Sequence, residues 1–322
     1  MLDVHTYAIP LRTRFRGLTM RTGVLLRGPA GWAEFAPFDD YDLAASVPWW
    51  QCAVEAATVG WPAPVRDRVP VNVTVPACDP ERARAIVAAS SGAHTAKVKV
   101  AEAGQSLADD LIRVSAVRDA LGPAGRIRVD ANGGWPDPDT AAAAIVALDR
   151  EVGLEYVEQP CATVGELAAV RRLVDVPIAA DESIRRAADP LRVAREHAAD
   201  IAVIKVAPLG GVAAALRLIE AIGLPVVVSS ALETSVGIAA GVALAAALPE
   251  LPYACGLATV ALLERDVCAE PLLPKDGHLP VRRAVPDPAA LAALAAPHDV
   301  AVAWEQRLNA VRAAAAAGES IR

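Results

Sequence analysis

Paired cysteines, clustered basic residues and a long unbroken apolar run are all missing from this sequence, and each absence excludes a class of protein. The five cysteines, Cys52, Cys78, Cys161, Cys255 and Cys268, are odd in number and scattered, with no CxxC pair. That spacing suggests neither a disulfide framework nor a zinc knuckle. Small buried hydrophobes in a reducing compartment are expected instead. Acidic residues outnumber basic ones, giving a net charge of -7, and no basic cluster offers a surface for phosphates, which argues against a nucleic-acid partner. The N-terminal stretch MLDVHTYAIPLRTRFRG carries arginines where a signal peptide needs hydrophobes. The most apolar window, 226–248, is interrupted by Ser229, Ser230, Glu233, Thr234 and Ser235. It reads as a buried strand, a polar loop and a helix rather than a membrane span. The expectation is a soluble, cytoplasmic protein that handles a small molecule, with no membrane partner and its oligomeric state left open.

What is present is a repeat. Hydrophobic residues make up 54% of the 322 positions, enough to fill a large core and to argue against disorder. From about residue 70, β-branched runs alternate with Ala/Leu/Arg-rich segments of helical spacing. The strand candidates are 71–75, 96–100, 126–130, 154–158, 177–181, 201–205, 225–229 and 253–257. Helix starts are signalled at Asp79-Pro80, Asp137-Pro138, Asp189-Pro190 and Gly210-Gly211. Eight strands at intervals of roughly 25 residues suit a β/α barrel. An open doubly wound sheet would stop at five or six strands and begin with a Gly-rich turn that is absent here.

The first part of the chain breaks the repeat. It predicts a strand over 3–10, a hairpin over 24–38 around Gly28-Pro29-Ala30-Gly31, and a helix over 43–59. The expected division is an α+β capping lid over 1–68, the barrel over 69–258, and a segment over 259–322, closing with a helix near 301–317, that packs back on both.

Charges are rare inside buried parallel strands, so the exceptions carry information. Five consecutive strand candidates bear an ionisable group at or near the C-terminal end: Lys97 and Lys99, Asp130, Glu158, Asp181, and Lys205. One strand-end charge turned to solvent would be unremarkable. Five in a row on the barrel face that carries active sites imply convergence. Lys97 and Lys99, two apart, share a face of their strand. Three neighbouring carboxylates suit a hard divalent cation such as Mg²⁺. Zinc is disfavoured because no histidine is near; His94 and His197 fall outside the strands. A dication on a substrate carboxylate would offset the charge that builds as an α-proton leaves. A lysine base needs a depressed pKa, which a second ammonium and desolvation promote.

These residues resemble the muconate-lactonising subgroup of the enolase superfamily. Lys97-Val98-Lys99 is similar to its KxK motif and Asp130-Ala131-Asn132-Gly133-Gly134-Trp135 to its DxNxxW. Val157-Glu158-Gln159-Pro160, Asp181-Glu182-Ser183 and Ile204-Lys205 match its remaining strand-end motifs in order. The resemblance implies a (β/α)7β-type TIM barrel with an N-terminal α+β capping domain. It also implies Asp130, Glu158 and Asp181 as Mg²⁺ ligands, with Mn²⁺ a possible substitute. Lys99 becomes the general base, Lys97 its pKa-lowering neighbour and Lys205 the partner across the site. Asn132 and Glu182 would support them, or make ordinary strand-end hydrogen bonds.

Within the subgroup the choice rests on missing residues. The histidine that mandelate-racemase-like members place after strand seven is replaced by Ser229-Ser230. The Asp-x-Asp of dipeptide epimerases and the glutamate of muconate cycloisomerases are absent from Cys255-Gly256-Leu257-Ala258-Thr259. What remains resembles the dehydrating lyases, which carry a stretch like Ser229–Gly237. That implies syn-dehydration, through an enediolate, of 2-succinyl-6-hydroxy-2,4-cyclohexadiene-1-carboxylate, a step of menaquinone biosynthesis. Ser229, Ser230 and Gly256 would meet this small carboxylate substrate; the serine stretch reads equally as a plain loop with a helix cap at Ser235. N-succinylamino acid racemisation needs the same two lysines and is the nearest rival. A Schiff-base aldolase using Lys205, or a binding protein, stands further off. Gly210-Gly211 suggests either a phosphate site at a helix start or a tight left-handed turn, and Arg14 and Arg16 either anchor the substrate or face solvent.

Overall fold

A computed structural model describes residues 3–319 of the chain. It begins with a three-stranded antiparallel sheet: β1 (Asp3–Phe15), β2 (Leu18–Gly28) and β3 (Gly31–Phe35), in that order. Tyr7, Ile9 and Leu11 lie at every second position of β1 and are buried, as the period-two geometry of a strand requires. The hairpin closes where Gly28 pairs with Gly31. There Gly31 has φ +133°, a conformation open to glycine. Helix α1 (Leu43–Thr58) follows, its N-terminus capped by Asp42, which accepts from the Ala45 N–H at 2.8 Å.

The barrel is built from seven parallel strands. They are β5 (Val73–Val75), β6 (Thr95–Lys99), β7 (Arg126–Asp130), β8 (Leu154–Glu158), β9 (Ile178–Ala180), β10 (Ile201–Lys205) and β11 (Val226–Ser229), neighbours in chain order. A short β4 (Arg68–Pro70) pairs instead with β12 (His278–Pro280) from the closing segment. Helices α2 (Pro80–Ala88), α3 (Leu107–Leu121), α4 (Pro138–Val152) and α5 (Val164–Leu173) join the first strands. Each starts on a side-chain cap: Asp79, Ser106, Asp137 and Thr163. The later crossovers carry α6 (Glu182–Arg185), α7 (Arg192–Arg195), α8 (Val212–Ile222) and α9 (Ser235–Ala247). Beyond β12, α10 (Pro288–Ala293) and α11 (His298–Glu319) end the chain, and α11 packs against α1.

Two elements differ from expectation. The eighth strand, expected at 253–257, is reduced to isolated bridges, Val71 to Cys255 on one side and Ser229 to Gly256 on the other. These two contacts complete the ring without a ladder, because this stretch turns at once into a tight helical turn over 258–262. Asp189-Pro190 does not open a long helix. The fifth crossover is instead split into the single turns α6 and α7. All five cysteines are free, and no helix among the described residues is long and apolar enough to cross a membrane.

Candidate active site

Register alone brings the site residues to one rim. Lys99 pairs with Asp130, Asp130 with Glu158, and Lys205 with Ser229 across neighbouring strands. Asp181 directly follows β9. Lys97 and Lys99 share a face, and both reach one oxygen: their Nζ atoms lie 2.8 and 2.5 Å from Asp130 Oδ2. Lys97 also donates to Glu158 Oε1 at 2.6 Å, and Lys205 donates to Asp181 Oδ2 at 2.7 Å. Asn132 accepts from Lys99 at 2.6 Å and donates to Glu182 Oε1 at 3.2 Å.

Gln159, which follows Glu158 at φ +41°, braces the next motif. Its Oε1 accepts from the backbone N–H of Asp181 at 3.0 Å and of Ser183 at 3.2 Å, and its Nε2 donates to Ser183 Oγ at 2.8 Å. A fully buried amide thus makes the turn that aims Asp181.

Burial and charge set the protonation of these groups. Burial works against ionised Asp130, but Lys97 and Lys99 outweigh it and hold the carboxyl well below its usual range. Burial is likewise overcome at Asp181 by Lys205 and Arg185. Glu158 is raised to about 7 by burial and by the charge of Asp130. Burial opposes the charge of Lys97, yet Asp130 and Glu158 push its pKa well above the ordinary lysine value. Lys97 is therefore held as an ammonium beside Lys99, its charge kept by the two carboxylates it contacts. Burial lowers Lys205, helped by the charges of Arg185 and Lys97 against Asp181.

Among the described residues no group of three or more His, Cys, Asp or Glu side chains stands at metal-holding spacing; Lys97 sits between Asp130 and Glu158. The residues nevertheless fit a divalent cation in two respects. The donor set is all carboxylate oxygen, as Mg²⁺ prefers. Glu158 Oε2 is also buried with no hydrogen-bond partner, an uncompensated position that a cation would relieve.

Lys97, Lys99, Lys205, Asn132, Ser229, Ser230 and Gly256 line one narrow cavity of about 40 Å³. Ser230 Oγ is turned to the Gly256 carbonyl at 2.7 Å and to Thr259 Oγ1 at 2.9 Å. Ser229 packs so closely on Gly256 that a Cβ there would lie 2.6 Å from its Oγ. The wall also includes Phe15, Arg16, Phe38, Thr74 and Thr259. Of the two arginines considered, Arg16 reaches this wall and sits 4.4 Å over the Phe38 ring, while Arg14 is exposed. Phe15, Phe38 and Thr74 were missed, since nothing local marks a residue of the N-terminal region as facing a distant strand, or a threonine within the uncharged strand β5 as facing this cavity.

Two alternatives fall away. The N-terminus of α8 is filled by Glu55, which accepts from Val212 N–H at 2.6 Å and Ala213 N–H at 2.9 Å. A phosphate would meet that carboxylate, and Gly210 at φ +94° makes the left-handed turn. The cap of α9 is Thr234 rather than Ser235, whose hydroxyl instead accepts from Leu272 N–H at 2.7 Å.

This architecture agrees with known families. Residues 6–57 match the Enolase N-terminal domain-like family and residues 80–288 the Enolase C-terminal domain-like family. The chain belongs to the enolase superfamily. It is 67% identical over 308 residues to o-succinylbenzoate synthase of Thermobifida fusca (strain YX), covering 96% of this chain and 95% of that protein. Its identity to o-succinylbenzoate synthase of Mycolicibacterium smegmatis is 58% over 310 residues, with 96% and 95% covered. Among solved structures, muconate lactonizing enzyme from Pseudomonas fluorescens superposes with a TM-score of 0.78 at 23% identity, covering 92% of this chain and 98% of that one. The L-Ala-D/L-Glu epimerase from Bacillus subtilis gives 0.75 at 24% identity, with 89% and 96% covered. At these identities the structural likeness speaks for the fold.

Proposed function

We infer that this chain carries out the o-succinylbenzoate synthase reaction, dehydrating 2-succinyl-6-hydroxy-2,4-cyclohexadiene-1-carboxylate to o-succinylbenzoate in menaquinone biosynthesis. The observation that carries the reading is the meeting of three lysines, Lys97, Lys99 and Lys205, with three carboxylates at one barrel rim, in a chain so alike its o-succinylbenzoate synthase relatives over nearly its whole length.

The proposed roles follow from position. Asp130, Glu158 and Asp181 are the oxygen donors for Mg²⁺, with Mn²⁺ an acceptable substitute. When bound, the cation supplies positive charge to the substrate carboxylate as its α-proton leaves. Lys99, as the neutral amine, takes that proton and becomes an ammonium while an enediolate forms on the substrate. The carbon–oxygen bond then breaks, Lys99 returns its proton to the departing hydroxide, and water leaves as the ring becomes aromatic. Lys97 contributes fixed positive charge beside the base. Lys205, from the other side, balances the developing anion. Asn132 and Glu182 hold Lys99 in place, and Ser229, Ser230 and Gly256 shape the wall against the substrate carboxylate.

The matches at 6–57 and 80–288 support a lid over 1–68 that excludes water, a barrel over 69–258, and a closing segment over 259–322. A cytoplasmic setting suits a soluble substrate.

The decisive experiment assays the cyclohexadiene substrate before and after EDTA treatment, then with Mg²⁺ restored. Turnover that is lost with chelation and regained with Mg²⁺ supports the reading; turnover indifferent to chelation sinks the metal assignment. One observation favours a second activity. Lys99 and Lys205 are held by different carboxylates, Asp130 and Asp181, an arrangement suited to proton transfer at both faces of one carbon. N-succinylamino acid racemisation is that activity, and faster racemisation than dehydration would reverse the order of the two.

A further inference from the structure

Arg185 closes a circuit between the two lysines. Its Nε donates to Asp181 Oδ1 at 2.9 Å and its Nη2 to Glu182 Oε1 at 2.5 Å. Asp181 Oδ2 holds Lys205. Glu182 Oε1 also accepts from Asn132, whose Oδ1 holds Lys99. The path Lys205–Asp181–Arg185–Glu182–Asn132–Lys99 is therefore an unbroken chain of hydrogen bonds, with the guanidinium fork at its centre. The remaining arm of the fork, Nη1, donates to the hydroxyl of Tyr41.

Tyr41 belongs to the N-terminal part of the chain, 144 residues away. It is buried, with its ring 5.4 Å from Trp49 in an edge-to-face contact and 6.5 Å from Phe38. Phe38 in turn lines the active-site cavity. The same short loop thus presents one aromatic ring to the substrate space and one hydroxyl to the arginine behind the metal-ligand candidate Asp181. Arg185 is itself buried. A planar fork with three different acceptors fixes orientation in a way a lysine ammonium cannot copy.

We propose that Arg185 is a positioning residue, and that the seating of the N-terminal loop is relayed through Tyr41 and Arg185 to Asp181 and to both lysines. Without the Tyr41 hydroxyl, the guanidinium gains freedom to rotate, and Asp181 and Glu182 lose their common brace. Outer groups that orient ligands in this way affect metal affinity and turnover by about 10- to 100-fold. The proposal rests on the reading of Asp181 as a cation ligand.

The test compares wild-type enzyme, Tyr41→Phe and Arg185→Lys, with Mg²⁺ binding followed by calorimetry on metal-stripped full-length protein and steady-state kinetics on the reloaded enzyme. Tyr41→Phe keeps the buried ring and is expected to fold. Its Mg²⁺ affinity and kcat are each expected to fall about tenfold, with KM held within about twofold. Arg185→Lys is expected to approach 100-fold on both. Wild-type protein that takes up no cation overturns the assignment of Asp181 and the relay with it. Wild-type protein that binds Mg²⁺ while both variants match it in affinity and kcat overturns the relay alone. Activity losses that only follow a lowered melting temperature, with Mg²⁺ affinity intact, also overturn it.

Discussion

Glu34, on strand β3 of the N-terminal sheet, accepts hydrogen bonds from both the hydroxyl of Thr234, at 2.5 Å, and its backbone N–H, at 3.0 Å. It also accepts from Gly237 N–H at 3.1 Å and from the Tyr7 hydroxyl at 2.6 Å. One carboxyl from the N-terminal sheet thereby satisfies the start of barrel helix α9. Nearby, Arg21 of β2 donates to the carbonyl of Leu232 at 2.9 Å. The loop that carries Ser229 and Ser230 into the site is pinned at its far end by these two residues of the N-terminal sheet.

That junction predicts a pH dependence of stability. Burial raises Glu34 from 4.5 to about 7, against the pull of Arg21 and the hydrogen bonds. A raised pKa means the folded state holds the proton more tightly than the unfolded chain. The contribution is fully present below pH 4.5 and is lost as pH rises through 7. The Tyr7 and Thr234 hydroxyls can reverse to accept from the protonated acid. The expected loss is at most about 3 kcal/mol. Urea unfolding at pH 5 and pH 8 should show that decline in wild-type protein and a flatter profile in Glu34→Gln. Equal slopes in the two proteins would rule it out.

Arg128 predicts a stability effect away from the chemistry. It is fully buried in β7 and donates to Glu155 Oε2 at 2.8 Å, the Tyr156 hydroxyl at 3.0 Å and the Ala254 carbonyl at 2.8 Å. The last contact ties β7 to the reduced eighth strand. Arg128→Leu leaves these acceptors without their donor and should cost about 3–5 kcal/mol, seen as a lower urea midpoint at unchanged slope. A cost below about 1 kcal/mol, the level of an exposed pair, would show that the contacts carry no such weight.

The rim of charges was legible because each charge interrupts an apolar strand, and a strand's direction decides where its last residue emerges. Lys99, Asp130, Glu158, Asp181 and Lys205 could be placed from that fact alone. The eighth strand was less legible: Tyr253–Leu257 has strand-like residues, but Gly256 serves close packing on Ser229 rather than a ladder. Arg185 and Tyr41 were not legible at all. An arginine one turn past an acidic motif looks like any helix-surface residue until a phenol 144 positions away is folded onto it. The pairing of Lys97 with two carboxylates was hidden for a similar reason. Its neighbour in sequence is another lysine, while its neighbours in space are Asp130 and Glu158.

Gly256 offers a test of the cavity wall. In Gly256→Ala the new Cβ would stand 2.6 Å from Ser229 Oγ and 3.3 Å from its Cβ, so Ser229 must shift in the space proposed for the substrate carboxylate. A fall in kcat/KM of about 10- to 100-fold is expected, because displacements near 1 Å are costly to catalysis. Replacing Ser229 by alanine in the same chain removes the nearer clash. The double variant Ser229→Ala/Gly256→Ala should therefore be more active than Gly256→Ala alone. If the double variant is the worse of the two, the serine acts on the substrate directly rather than through its fit to Gly256.

The two lysines should separate by kind of effect. Lys99→Ala removes the proposed base, and the loss of dehydration is expected to be about 10³-fold, within the range for general acid–base groups. Lys205→Arg preserves a positive charge near Asp181 and should keep more of the dehydration activity than Lys99→Ala, because only charge is asked of that position. Proton exchange in D₂O on the two enantiomers of an N-succinyl amino acid resolves the faces. Lys99→Ala should stop exchange on one enantiomer and Lys205→Arg on the other. If Lys205→Arg stops dehydration as completely as Lys99→Ala while exchange persists from the Lys99 side, then the base and its partner have been assigned the wrong way round.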